Sequence, residues 1–522
     1  MINSSEAQPE VLAREIFGTL AELFPVCCAS DEFYYFPQVV GKERNWSSWD
    51  DFSDTSLQHL SGKLSGWQED LSSVSDPDMS REAMTDVFLL KHLCGTLLEQ
   101  LTEVAFHRSQ PTFYLSVANI GIAEAIESGE KEALIDRVST LSDFLVMGMD
   151  NLKVVPEIFR DRGAEMADRT REWFQALAQG GHLISPALEA VEKYGDRLKK
   201  IPVKSDFRLP EEVFSRIVAK HMGCDMGIEQ ILAELEEEAS RMKEFIYEVS
   251  DAMSPGGAWQ DVYENMPRQP VGEGSLPGMF GKQIDELMAH CLAAEMVSPE
   301  LAQTCPVKVG NVPVSLSAIR SADSYSAKPG HPPAGGTFYI FDEGNSERSA
   351  SGLHPEYRMT AAHETWPGHH LLDISRWNQK NPLRRPLERP LFYEGWACFA
   401  EQLMFETGYF SGHQDLLILA KRRMRHALRG TVDISLHTGR MDIPAAARTL
   451  LVAGYSRKLA EKTALKYTLH PGYQVCYTIG LRRFKSLYDR FGKDDVSGFV
   501  RTILAQGEIP FSDLEQVFLS EG

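Results

Sequence analysis

The sequence predicts a mainly α-helical protein in two lobes with a small β-sheet. Three observations carry that prediction: apolar stripes at helical spacing run through most of the first 250 residues, two Gly/Pro-rich stretches interrupt them, and β-branched or aromatic runs are short. Stripes of this kind predict helices over 80–106, 113–155, 156–178 and 184–197. The clearest is Ile228 to Val249, where Ile228, Ile231, Leu232, Leu235, Ala239, Met242, Ile246 and Val249 share one face and Glu236, Glu237, Arg241 and Lys243 take the other. Residues 253–281 and 325–352 read as loops, from motifs such as Ser254-Pro255-Gly256-Gly257 and Pro332-Pro333-Ala334-Gly335-Gly336. The strand candidates are Val307–Leu316, interrupted by Pro313, and Thr337–Phe341. The expected organisation is a helical N-terminal lobe over 1–250 and a second, catalytic lobe over 251–522.

Composition narrows the function. The chain has 522 residues, 43% hydrophobic and 24% charged, ordinary values for a globular protein. Its 53 basic and 74 acidic residues give a net charge of -21, which disfavours nucleic acid and anionic lipid as partners. The eight cysteines form no CxxC pair, so they are expected as buried free thiols rather than zinc ligands or a disulfide scaffold. The N-terminus lacks a basic segment followed by an apolar one, and no run approaches a membrane span, so a cytoplasmic location is expected. There is no GxxxxGK[ST], GxGxxG or GxSxG motif, and no histidine follows a glutamate at i−3 as a di-iron bundle would require.

Chemistry concentrates in His363-Glu364-Thr365-Trp366-Pro367-Gly368-His369-His370. Zinc peptidases usually carry two histidines one helical turn apart with a glutamate after the first. Here the i+4 position is Pro367, which cannot ligate, and neither His369 nor His370 meets His363 along a straight helix. Pro367 removes a backbone donor, Trp366 before it is biased away from helix, and Gly368 tolerates unusual dihedrals. The helix is therefore expected to break there and return a later histidine to the metal, His369 first and His370 as the alternative. Glu394, in the aromatic-rich run Phe392–Glu401, is the expected third ligand, with Glu401 one face-repeat later behind it. One zinc ion per chain would then leave a position for water, with Glu364 as general base. Oxyanion donors are sought in Tyr477 and His437.

These residues resemble a bacterial domain-of-unknown-function family grouped with the thermolysin-like, gluzincin zinc peptidases. HETWPGHHLL is similar to that family's HExxPGHHLQ, and EGWACFAEQ to its EGWALYAE. GGTFYIF, RGTVDISLH and PGYQVCYTIG are similar to its PG-x-FYVN, RLVVDTGLH and PGQALSYKIG segments, and Tyr325 stands where it has a tyrosine. The resemblance implies a two-lobed helical metallopeptidase-like fold around a cleft. It implies ligands His363, His369 or His370, and Glu394, with Glu364 as base and Tyr477 and His437 near the cleft. It also implies that the strand from Gly336 to Phe341 is an edge for the substrate backbone. Leu372, Gly430, Thr431, Ile434 and Ser435 depart from the family pattern without touching the proposed ligands. The expected function is zinc-dependent hydrolysis of short peptides; the alternative is a metal-binding protein of this fold without turnover. Arg425, Arg429, Arg482 and Arg483 are candidate anchors for a substrate carboxylate, or solvated helix charges.

Overall fold

The computed structural model describes the chain except residues 1–7, 40–45, 75–78, 272–274, 321, 342–350 and 522. The start of the N-terminal segment and parts of both expected Gly/Pro-rich loops thus lie outside the described residues. The chain is mainly helical and divides into two compact units, residues 1–209 with 313–321, and residues 210–312 with 322–522.

The first unit is built from helices. Asp54–Ser73 and Arg81–Glu99 are capped by Ser53 and Ser80, whose side chains accept from Ser56 N–H and Ala83 N–H. The stripe over 113–155 belongs to two helices, Pro111–Ser128 and Lys131–Asn151, because Gly129 at φ 74° ends the first in a left-handed cap. Glu157–Gln179 and Ser185–Leu198 match their stripes.

In the second unit, helix α1 (Ile228–Met253) buries Ile231, Leu235, Met242, Ile246 and Val249. It packs along the long helix α5 (Gly412–His437). That packing is why the division near residue 250 has to be corrected: α1 belongs with the second unit, and the chain changes unit at 209–210 instead. The loop expected over 253–281 also contains the short helix Trp259–Glu264 and the start of Leu276–Ala293. Four further helices position the site: α2 (Glu356–Glu364), α3 (His369–Trp377), α4 (Pro390–Glu406) and α6 (Val475–Phe491). Helices α4 and α6 cross at Gly395 and Gly480, where a Cβ on either residue would press on the other's backbone.

A three-stranded sheet completes this unit. Strands β1 (Val307–Asn311), β2 (Ser324–Ala327) and β3 (Gly336–Ile340) lie in the order β1-β3-β2, the first pair parallel and the second antiparallel. Pro313 ends the first strand candidate, and Val314–Leu316 forms a 3₁₀ turn instead. The expectation that the Gly336–Phe341 strand is an edge is corrected: β3 is central, with its backbone groups committed on both sides. The edges are β1, which packs against the helix Leu276–Ala293, and β2, which packs against α3. Among the described residues no helix is long and apolar enough to cross a membrane. All eight cysteines are free and buried.

Candidate metal centre

The helix containing His363 stops where the sequence requires it to. Thr365 takes φ −125° and ψ −96°, Gly368 takes φ −74° and ψ −133°, and α3 begins at His369. Gly368 is needed for more than its dihedrals, since a Cβ there would collide with the carbonyls of His363 and Ala362. The break is hydrogen-bonded rather than loose. Gly368 N–H reaches Ala362 O at 3.1 Å, Leu371 N–H reaches Thr365 O at 3.3 Å, and Trp396 of α4 donates its indole N–H to Pro367 O at 2.9 Å. In an unbroken helix a residue six positions on would lie about 9 Å further along the axis and on another face. Here the His363 and His369 rings lie 4.9 Å apart between centroids.

Those two imidazoles converge on Glu394, which α4 delivers from its first turns. Glu394 Oε2 is 3.7 Å from His363 Nε2 and 3.6 Å from His369 Nε2. One ligand atom from each of the three buried residues falls within 4.8 Å of the others, close enough for all three to hold a metal ion. The fit is sharpened by an orphan: Glu394 Oε2 is buried and has no hydrogen-bond partner, whereas Oε1 accepts from the Tyr473 and Tyr477 hydroxyls, each at 2.7 Å. A buried carboxylate oxygen left unpaired is costly, and two imidazoles with a carboxylate are an ordinary zinc donor set. Burial raises the Glu394 pKa, but His363 and His369 outweigh it and hold the carboxyl well below its usual range.

Behind His363 lies a chain of charges. His363 Nδ1–H donates to Glu401 Oε1 at 2.9 Å, which directs Nε2 toward Glu394. Arg422 of α5 grips both oxygens of Glu401, Nε to Oε2 at 2.9 Å and Nη2 to Oε1 at 2.7 Å. Its Nη1 reaches Glu356 at 3.2 Å and Thr360 at 3.1 Å. Burial raises the Glu401 pKa, yet Arg422 and His363 bring it down to about 2. Burial likewise opposes protonation of His363, while hydrogen bonds to Cys398, Glu394 and Glu401 raise its pKa overall. His363, Cys398 and Glu401 form a second possible metal grouping. Arg422 already occupies both Glu401 oxygens, and burial raises the Cys398 pKa, keeping the thiol protonated, so the His363–His369–Glu394 set fits better.

Glu364 ends α2 beside this cluster. Its Oε2 accepts the Tyr325 backbone N–H at 2.9 Å, so the edge strand β2 aims the carboxylate. Burial raises the Glu364 pKa, against the lowering effect of His363 and His369. Tyr473 comes from the turn entering α6 and Tyr477 from the first turn of α6 itself, and Asp433 of α5 fixes the entering turn by accepting Gly472 N–H at 3.1 Å and Gln474 N–H at 2.9 Å.

Two expected site residues are placed elsewhere. His370 is fully buried with both nitrogens engaged: Nε2–H donates to Cys305 O at 3.0 Å, and Nδ1 accepts from the Tyr325 hydroxyl at 2.9 Å. Burial holds its pKa down at about 3. As the next residue on α3 after His369, it points about 100° away, and so it supports β2 instead of joining the cluster. His437 is also corrected. It stacks on Phe214 and bonds Tyr467 O at 3.1 Å. The α5 histidine that faces the cluster is His426, eleven residues earlier and so about 16 Å away along the axis. Its ring lies 4.9 Å from Tyr477 and 6.3 Å from His363, with Cys398 Sγ 3.3 Å from Nδ1. Sequence reasoning also missed Tyr473, Arg422 and Glu356. The 3.6-residue period would have pointed to Arg422 and His426, one turn apart on α5. No local signal marks Tyr473.

Fold and site together define a mainly helical protein with a buried cluster of two histidines and a glutamate suited to a divalent cation. Its relatives agree on the fold. The chain belongs to the family described as bacterial protein of unknown function (DUF885), whose profile matches residues 39–518. Among solved structures it is similar to the putative lipoprotein from Colwellia psychrerythraea, at TM-score 0.80 and 17% identity over 99% of both chains. It is also similar to a putative lipoprotein of unknown function from Shewanella oneidensis, at TM-score 0.77 and 17% identity over 98% of this chain and 99% of that one. No curated protein matches the sequence.

Proposed function

We propose that the chain is a zinc-dependent peptidase acting on short peptides, with Glu364 as general base, and that it stands with the thermolysin-like zinc peptidases through its HE-PGHH and EGWA segments. The observation that carries this reading is the orphaned Glu394 Oε2 facing the Nε2 atoms of His363 and His369. A zinc ion held there would supply Lewis acidity to a carbonyl and acidify a water. The protein's own groups do the rest. Glu401 fixes the His363 tautomer, and Tyr473 and Tyr477 hold Glu394 Oε1 so that Oε2 turns inward. Glu364 adjoins a ligand without being one. It is aimed by Tyr325 N–H and desolvated, so it is set to take a proton from water and return it to a leaving amine. Tyr477, its ring stacked 6.4 Å from that of His363, is the candidate donor to the oxyanion, a role its one O–H would take by turning from Glu394 Oε1, which Tyr473 also holds.

The direct test is Glu364→Gln in the full chain. The variant should retain one zinc per chain and lose peptide hydrolysis by a factor of about 10² or more. Unchanged turnover would refute the role of Glu364. A zinc-loaded wild-type chain that cleaves nothing in a broad peptide library would instead favour metal binding without turnover.

A further inference from the structure

Helix α5 carries four arginines facing the interior of its unit, and three of them have carboxylate partners. Arg422 holds Glu401, Arg423 Nη2 is 2.7 Å from Glu238, and Arg425 Nη2 is 2.7 Å from Glu356. Arg429 differs. No carboxylate lies within 4 Å of it among the described residues. Its Nε and Nη2 both donate to one neutral oxygen, Gln474 Oε1, at 2.9 and 2.5 Å, and its Nη1 takes no partner from the described chain. The guanidinium lies 4.3 Å from the centre of the Tyr477 ring, the same tyrosine whose hydroxyl holds Glu394. Gln474 is itself pinned by Asp433 through its backbone N–H, so the guanidinium is held from two sides. Arg429 remains part-exposed.

A guanidinium enclosed between an amide oxygen and an aromatic ring normally has a counter-ion as well, and a chain with 74 acidic residues could readily have supplied one. Its neighbours on the same helix all have theirs. We infer that Arg429 is the anchor for the terminal carboxylate of a peptide substrate, and that the chain therefore acts at the C-terminal end of short peptides. This inference rests on the peptidase reading and adds the substrate class to it. One aromatic ring separates the anchor from the ligand carboxylate. The carboxylate it holds thus belongs to a residue close to the bond that is cut, since each extended residue spans only about 3.5 Å. Arg425 and Arg482, two of the other candidate anchors, are spoken for: Arg425 by Glu356, and Arg482 by Glu234 at 3.1 Å and Glu237 at 2.8 Å.

The experiment compares tripeptides as free acids and as C-terminal amides. Binding is measured by calorimetry on the full chain depleted of metal with chelator, and turnover is measured on the zinc-loaded chain. The wild type should bind the acid at least tenfold more tightly than the amide and show the same preference in kcat/KM. Arg429→Gln should bring both ratios near one, chiefly through KM, and Arg429→Lys should restore part of them. Equal binding of acid and amide by the wild type, no binding of either, or a preference that survives in Arg429→Gln would overturn the inference. So would an amide peptide carrying an internal Asp that binds as tightly as the free acid. The wild-type comparison decides the matter even if the variants fold poorly. The peptidase reading fails separately, if the zinc-loaded chain hydrolyses neither form while the metal-free chain still prefers the acid.

Discussion

Two histidine-bearing stretches of the second unit behave in opposite ways. Between α2 and α3, six positions separate His363 from His369, and the broken turn folds them into contact. Along α5, eleven positions separate His426 from His437, and the unbroken helix leaves the first beside Tyr477 and the second against Phe214 and the Tyr467 carbonyl. Spacing alone would have favoured neither pair. What decides is whether the backbone between them stays regular, and Trp366-Pro367-Gly368 is the only part of either stretch that prevents it.

The strongest way to disturb this contrast is to remove the support behind His363. Glu401→Ala would leave Arg422 buried without its main partner, and unfolding by denaturant should show a loss of about 3–5 kcal/mol. Zinc affinity should fall about 10–100-fold in the same variant, because His363 loses the acceptor that orients it. A stability within 1 kcal/mol of the wild type, at about the scale of a surface change, would mean that the charge chain carries little.

Gly368→Ala attacks the break itself. The added methyl meets two backbone carbonyls that cannot swing aside, so the turn must open. A loss of about 1–3 kcal/mol is expected, with zinc affinity lowered although no ligand is changed. Unaltered zinc binding would show that the turn tolerates other geometries. In α5 the glycine between His426 and His437, Gly430, would place a Cβ 3.0 Å from the Leu235 side chain inside an unbroken helix, so a substitution there would test packing and not a break.

On the other side of the contrast, His437 should report on pH and not on the metal. Burial lowers its folded pKa from 6.5 to about 4, partly offset by the bond to Tyr467 O. A base whose folded pKa is depressed is held neutral by the fold, so its contribution is complete above pH 6.5 and is lost as pH falls toward 4. The loss is bounded by about 3 kcal/mol. Denaturation curves of wild type and His437→Gln should converge as pH falls through that window, while zinc affinity at neutral pH stays the same. Equal pH dependence in the two would assign the acid sensitivity elsewhere.

Much of this was legible in the sequence wherever a local rule applied. The Trp-Pro-Gly break follows from backbone chemistry at three adjacent residues, and the α1 stripe from its period. Glu394 and Glu401, seven apart on one helix, needed only the helical repeat. The rest depended on tertiary neighbours. The central position of β3 was illegible because strand order is set by pairing partners that lie far along the chain. The choice of His369 over His370 hinged on the Cys305 carbonyl and the Tyr325 hydroxyl, 65 and 45 residues away. Tyr473 meets Glu394 only because Asp433 fixes the turn that carries it.

The most direct test of the account is an anomalous difference map from crystals of the zinc-loaded chain, collected at the zinc edge. The account predicts one peak per chain, bonded to Nε2 of His363, Nε2 of His369 and Oε2 of Glu394, with the His370 ring still bonded to Cys305 O. A peak coordinated by His370, or no peak beside Glu394, would contradict it.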